Sequence, residues 1–195
     1  MRRSIDLAAV FGGVAPFLTY ACILLAVASY KEFSWTHNAL SDLGIVPGVT
    51  MILFNGGLII GGILFTIFAI GLYEYMRKTT IGRVGAFFFI LASISITCVG
   101  IFNEHFKPTH FIFSVTLFTF MALSLLVFSG NLLIKGQSRL GLFTLVLGSA
   151  SAAMWILEYT IRYFQNVAVP EFVSGLLGVT WVMVMVNKML KEKLK

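Results

Sequence analysis

VTMILFNGGLIIGGILFTIFAIGLY, residues 49–73, decides the fold. The run carries no charge, and its polar atoms are confined to Thr50, Asn55, Thr66 and Tyr73. A helix needs about 20 mostly apolar residues to cross a bilayer core about 30 Å thick, and this run exceeds that. In hydrocarbon every backbone N–H and C=O must be satisfied internally, which leaves helices and closed barrels. The stretch is too long and too uniformly apolar for a barrel strand, so it predicts a transmembrane helix.

Working outward, five more stretches meet the same test: 7–30, 81–102, 109–134, 140–164 and 172–190. The breaks between them carry charge and turn residues, such as Arg77-Lys78-Thr79-Thr80 and Lys135-Gly136-Gln137-Ser138-Arg139. All but the first break are short, which predicts antiparallel neighbours. The expected fold is all-α: a single domain over 1–195 forming a bundle of six transmembrane helices. Composition agrees, with 58% hydrophobic and 11% charged residues, against about a quarter charged in soluble domains. The first run continues to Tyr30, too long for the apolar part of a cleaved signal, so it reads as a retained span. Cys22 and Cys98 both lie inside apolar runs, which argues against a disulfide framework or a cysteine zinc site.

Charge gives the expected orientation. Arg2, Arg3, Arg77, Lys78, Arg83, Lys135, Arg139, Lys188, Lys191, Lys193 and Lys195, eleven of the 14 basic residues, fall on one side. Lys31, Lys107 and Arg162 fall on the other. The positive-inside bias then puts both termini in the cytoplasm of a multi-pass cell-membrane protein. The net charge of +6 is a topology signal, and nucleic acid is dropped as a partner. Glu32, Asp42, Glu104, Glu158 and Glu171 are external, as are His37, His105 and His110.

The polar residues of that external side are the candidate site. Between the first two spans, THNALSDLG (36–44) has an amphipathic pattern. At 100° per residue, a helix over 34–43 puts Ser34, His37, Asn38, Ser41 and Asp42 on one arc. Trp35, Thr36, Ala39, Leu40 and Leu43 occupy the other, and Gly44 and Pro47 end the element. Such a helix would lie in the interface; which way its polar arc faces is open at this stage. Asn55 and Ser114 reach inward from the same side. Glu158 sits about 9 Å below the expected outer end of the fifth span. Ionisable groups at such depth face the interior and find a partner; Arg162, four residues on, is the expected one. Asn38, Ser41, Asp42, Asn55, Glu104, His105, His110, Glu158 and Arg162 are therefore the candidate ligand-binding residues.

Three histidines with carboxylates nearby also have the composition of a zinc site. His37, His105 and His110 are the candidate ligands, although no H-E-x-x-H motif is present. His105 and His110 would lie about 140° apart on a continuous helix and converge only if Lys107-Pro108 breaks it.

Asn38-Ala39-Leu40-Ser41-Asp42-Leu43-Gly44, with Phe54-Asn55-Gly56-Gly57, Gly100-Ile101-Phe102-Asn103-Glu104-His105 and Pro108-Thr109-His110, resembles the prokaryotic six-span family of domain of unknown function 998. Ser41-Asp42-x-Gly44 before a Phe-containing second span is also similar to the eukaryotic FRAG/DRAM/Sfk family, some members of which are associated with lipid remodelling or distribution. The first resemblance implies the six-span fold and no reaction.

The reading at this level is a membrane protein with a polar, extracytoplasmic-side pocket for a lipid headgroup or small polar ligand. Its work would be binding, structure or assembly, with membrane lipids as partners and no cofactor. Two alternatives stand beside it: a zinc-dependent intramembrane lipid hydrolase and an accessory subunit of a membrane complex. A homo-oligomer is also left open.

Overall fold

A computed structural model describes residues 2–192; Lys193 and Lys195, counted above among the basic residues, lie outside the described residues. The chain forms helices α1 Arg2–Ser29, α2 Val49–Met76, α3 Thr80–Ile101, α4 Thr109–Ile134, α5 Ser138–Ile161 and α6 Ala168–Lys191. All six contain windows long and apolar enough to cross a membrane. Successive helices run antiparallel and pack in chain order, with α6 closing back on α1. One end of the bundle carries the long 30–48 link and the 102–108 and 162–167 links, and is called the capped end here. The other carries the tight turns rich in Lys and Arg.

The ends of the helices have local causes. Thr79 caps α3 by accepting the Gly82 N–H at 3.2 Å, which satisfies one of the orphan donors of the first turn. The same hydroxyl donates to Asn131 Oδ1 of α4 at 2.6 Å. At the basic end, Gly136 adopts φ 72° between α4 and α5, a conformation that costs glycine nothing. The fifth span ends at Ile161, three residues earlier than expected, because Arg162 takes up a left-handed conformation at φ 55°.

Lipid tails are as apolar as leucine, so burial alone does not hold such helices together; close packing and interhelical hydrogen bonds do. Gly57 and Gly61 of α2 lie against Cys22 and Thr19 of α1 so closely that any side chain there would overlap them. Deeper in the bundle, Trp181 of α6 is fully buried. It stacks on Phe128 of α4 at 4.9 Å between centroids and meets Phe89 of α3 at 5.7 Å. Its indole N–H donates to Thr144 Oγ1 of α5 at 3.0 Å. Bonds of this kind average about 0.6 kcal/mol in membranes, and this one ties α5 to an aromatic centre shared by α3, α4 and α6.

Candidate functional site

The link between α1 and α2 is built by side chains that compete with helix formation. Asn38 Oδ1 accepts the Ser34 N–H at 2.9 Å. Asp42 Oδ2 accepts both the Ala39 N–H at 3.0 Å and the Asn38 amide at 2.9 Å. Such local bonds offer the backbone an alternative to the α-helix. The short helix expected over 34–43 is accordingly a six-residue 3-10 helix, Leu40–Ile45, preceded by turns. The two-arc arrangement of an α-helix does not form: His37 and Trp35 are exposed, whereas Ser41 and Leu43 are buried.

This segment is then fastened to the bundle from three directions. The Leu40 N–H donates to Glu171 Oε2 of α6 at 2.6 Å. The N–H groups of Asn166 and Ala168 donate to the carbonyls of Thr36 and Asn38 at 3.1 and 3.0 Å. Asn55 of α2 and Asn103 both donate to the Gly44 carbonyl, at 2.8 and 3.2 Å. A Cβ at position 44 would stand 2.6 Å from Asn55 Oδ1, so a larger residue there would push the Asn55 side chain aside.

Beneath the cap, Glu104 is the centre of a polar network. It opens a second 3-10 turn, Glu104–Phe106. Its Oε1 accepts the Ser41 hydroxyl at 2.8 Å and lies 3.5 Å from His110 Nε2, while Oε2 pairs with Lys107 Nζ at 3.0 Å. Burial pushes the Glu104 carboxyl upward. The Ser41 hydroxyl, Lys107 and His110 outweigh it and hold the group below its ordinary value of 4.5. His110 Nδ1 faces the Phe102 carbonyl at 2.7 Å; a carbonyl only accepts, so this nitrogen carries a proton. Nε2 lies between two oxygens, Glu104 Oε1 at 3.5 Å and the Ser114 hydroxyl at 3.4 Å.

These groups open onto a cavity of about 790 Å³ between α4 and α5, roofed by the cap. Its upper wall holds Ser41, Asp42, Glu104, Lys107, His110, Asn166 and Glu171. Its lower wall is Phe118, Ala122, Leu123, Leu126, Ala152, Trp155 and Ile156. Lower still, α4 and α5 close on each other, with Gly148 against Leu125 and Leu126 and Gly141 against Leu133. The sides are lined by exposed apolar residues such as Phe111, Leu123 and Ile156, so the cavity faces laterally outward from the bundle. A polar head and an apolar floor open to the side are the complement of an amphiphile.

The structure brings Ser41, Asp42, Glu104 and His110 together in this wall. Asn38 and Asn55 stand behind it as braces. His105 is exposed, and its backbone N–H donates to Asn103 Oδ1. Glu158 is buried with Oε2 unpartnered, outside the lining residues. The ion pair expected with Arg162 is not formed, because the left-handed turn at 162 takes Arg162 off the helix face into an exposed position. The expectation missed Glu171, Lys107, Asn166 and Trp155 as lining residues. Glu171 had a readable signal, an acid one turn into a span, once that span is known to begin at Ala168. For zinc, His37 Nδ1 is hydrogen-bonded with the Ser34 and Thr36 hydroxyls on its own turn, and His105 faces solvent. Among the described residues no group of three or more His, Cys, Asp or Glu is placed to hold a metal ion.

The six apolar helices make this a helical, multi-pass membrane protein. The chain belongs to the family described as protein of unknown function (DUF998), whose model matches residues 14–187. No curated protein and no solved structure matches the chain.

Proposed function

We propose that this protein binds one amphiphilic membrane molecule, head under the cap and hydrocarbon along the groove between α4 and α5, without transforming it. The observation that carries this reading is the graded lining of the 790 Å³ cavity, polar at the capped end and apolar toward the bundle centre. The volume falls within the roughly 300–1,000 Å³ typical of small-molecule sites. The side-facing position suits a ligand that arrives through the bilayer and never enters bulk water. In the orientation proposed here the capped end is extracytoplasmic, supported by the concentration of Lys and Arg at the opposite end.

Native mass spectrometry of protein extracted in mild detergent tests the reading. About one lipid per chain should be retained by the wild type. Ala122→Trp and Ala152→Trp, which fill the apolar floor while leaving the cap untouched, should lose it. Wild-type protein free of lipid, or equal retention by both filled variants, would remove the proposal.

A further inference from the structure

The cavity's polar end also specifies the chemistry of the head. Asp42 and Glu171 face it from separate elements. Among the described residues neither has a cationic side chain within 4.0 Å, because Lys107, the one ammonium in the lining, is held by Glu104. On the cavity's lower wall the indole N–H of Trp155 is buried with no acceptor. Beyond Glu171 a narrower cavity of about 110 Å³ runs into the bundle, sharing Ser41, Ser114, Phe118 and Glu171 with the larger one. There Thr19, 5% exposed, and Ser174, 1% exposed, each carry a hydroxyl without a partner.

These groups set requirements on a ligand. An anionic head would meet the carboxyl groups of Asp42 and Glu171, with no protein cation beside either to receive it. A primary ammonium brings three N–H donors and one positive charge, which suits carboxyl oxygens offered by two separate elements. A quaternary ammonium brings the charge and no donor. The Trp155 indole can only donate, so it calls for an acceptor lower on the ligand, at the depth of an ester or amide carbonyl. We propose that the ligand is an amine-bearing lipid, its primary ammonium held between Asp42 and Glu171 and its carbonyl accepting from Trp155. This assignment rests on the amphiphile reading above. A free soluble amine shares the head chemistry but offers nothing to Trp155 or to the apolar floor.

The test is a headgroup competition with the wild-type protein. Nanodiscs contain equal parts of phosphatidylethanolamine, phosphatidylcholine and phosphatidylglycerol with identical acyl chains, and lipid retained after mild extraction is counted by native mass spectrometry. The ethanolamine lipid should be enriched about tenfold over each of the others, and millimolar free ethanolamine should not displace it. In Asp42→Asn and Glu171→Gln the preference should fall below about threefold with lipid still retained. Equal retention of the three lipids would overturn the amine assignment and leave the amphiphile reading standing. Displacement by free ethanolamine would assign the site to a soluble amine and overturn the lipid. Retention of none would remove both readings. The wild-type comparison decides the matter whether or not the variants fold.

Discussion

Separating Ser41 from Glu104 tests whether the cap is held as one unit. The Ser41 hydroxyl donates to Glu104 Oε1 at 2.8 Å, and the two side chains belong to links 63 residues apart in sequence. Ser41 is 5% exposed and the Glu104 side chain 17% exposed. A hydrogen bond to a charged partner in such a setting contributes about 1.5–3 kcal/mol. The Lys107 side chain is 72% exposed, so its ion pair adds at most about 1 kcal/mol. Glu104→Ala should therefore cost about 2–3 kcal/mol, Ser41→Ala about 1–2, and Lys107→Ala less than about 1. For a chain of this size each kcal/mol moves the melting midpoint by about 2–4 °C. The Glu104→Ala protein should thus melt roughly 4–12 °C below wild type in fluorescence-monitored thermal unfolding in micelles. The double variant is the decisive measurement. Its loss should fall short of the sum of the single losses by about 1–2 kcal/mol, since either substitution alone already removes the shared bond. Additivity within about 0.5 kcal/mol would refute the coupling and with it the unity of the cap.

Other outcomes follow from the same structure. Because Glu104 is held below 4.5, its contribution is fully present above that pH and is lost as pH falls through the lowered value. The stability difference between wild type and Glu104→Gln should shrink as pH falls below 4.5; a difference that grows over that fall would contradict this. Gly61→Leu should cost at least about 1–3 kcal/mol through overpacking against Thr19, whereas Gly130, with nothing near its missing Cβ, should accept alanine, both read as folded yield by size exclusion. Thr144→Val leaves the buried Trp181 N–H without its acceptor and should cost about 1–2 kcal/mol, while Thr144→Ser should cost little; equal melting points for the two would discount that bond. Dialysis against EDTA should leave the melting midpoint unchanged, because His37 and His105 face solvent and His110 is committed to Phe102; a fall restored by zinc would reinstate a metal site.

The spans were legible because hydropathy over about 20 residues reports directly on the cost of leaving polar groups in hydrocarbon. Their limits were less so. Helix α6 starts at Ala168, before the expected 172, because Pro170 sits in the first turn, where a missing N–H costs nothing. Within the site, Ser41, Asp42, Glu104 and His110 stood out as polar residues gathered on one side of a greasy chain. The shape of the 36–44 segment was hidden, since periodicity records faces but not the side-chain bonds by which Asn38 and Asp42 divert the backbone. The Glu158–Arg162 pairing assumed a helix running through 162, and no glycine or proline warned of the left-handed turn there.

The position of Trp181 bears on how the amphiphile proposed above would enter. Four helices meet at that one indole, at the level where α4 and α5 also touch through Gly141 and Gly148. The lower bundle is thereby clamped like the spring of a clothes-peg, and the upper arms of α4 and α5 are the jaws. On that proposal, any yielding that admits a hydrocarbon tail would fall on the stretch above Ala152, with the footing of the bundle held fixed.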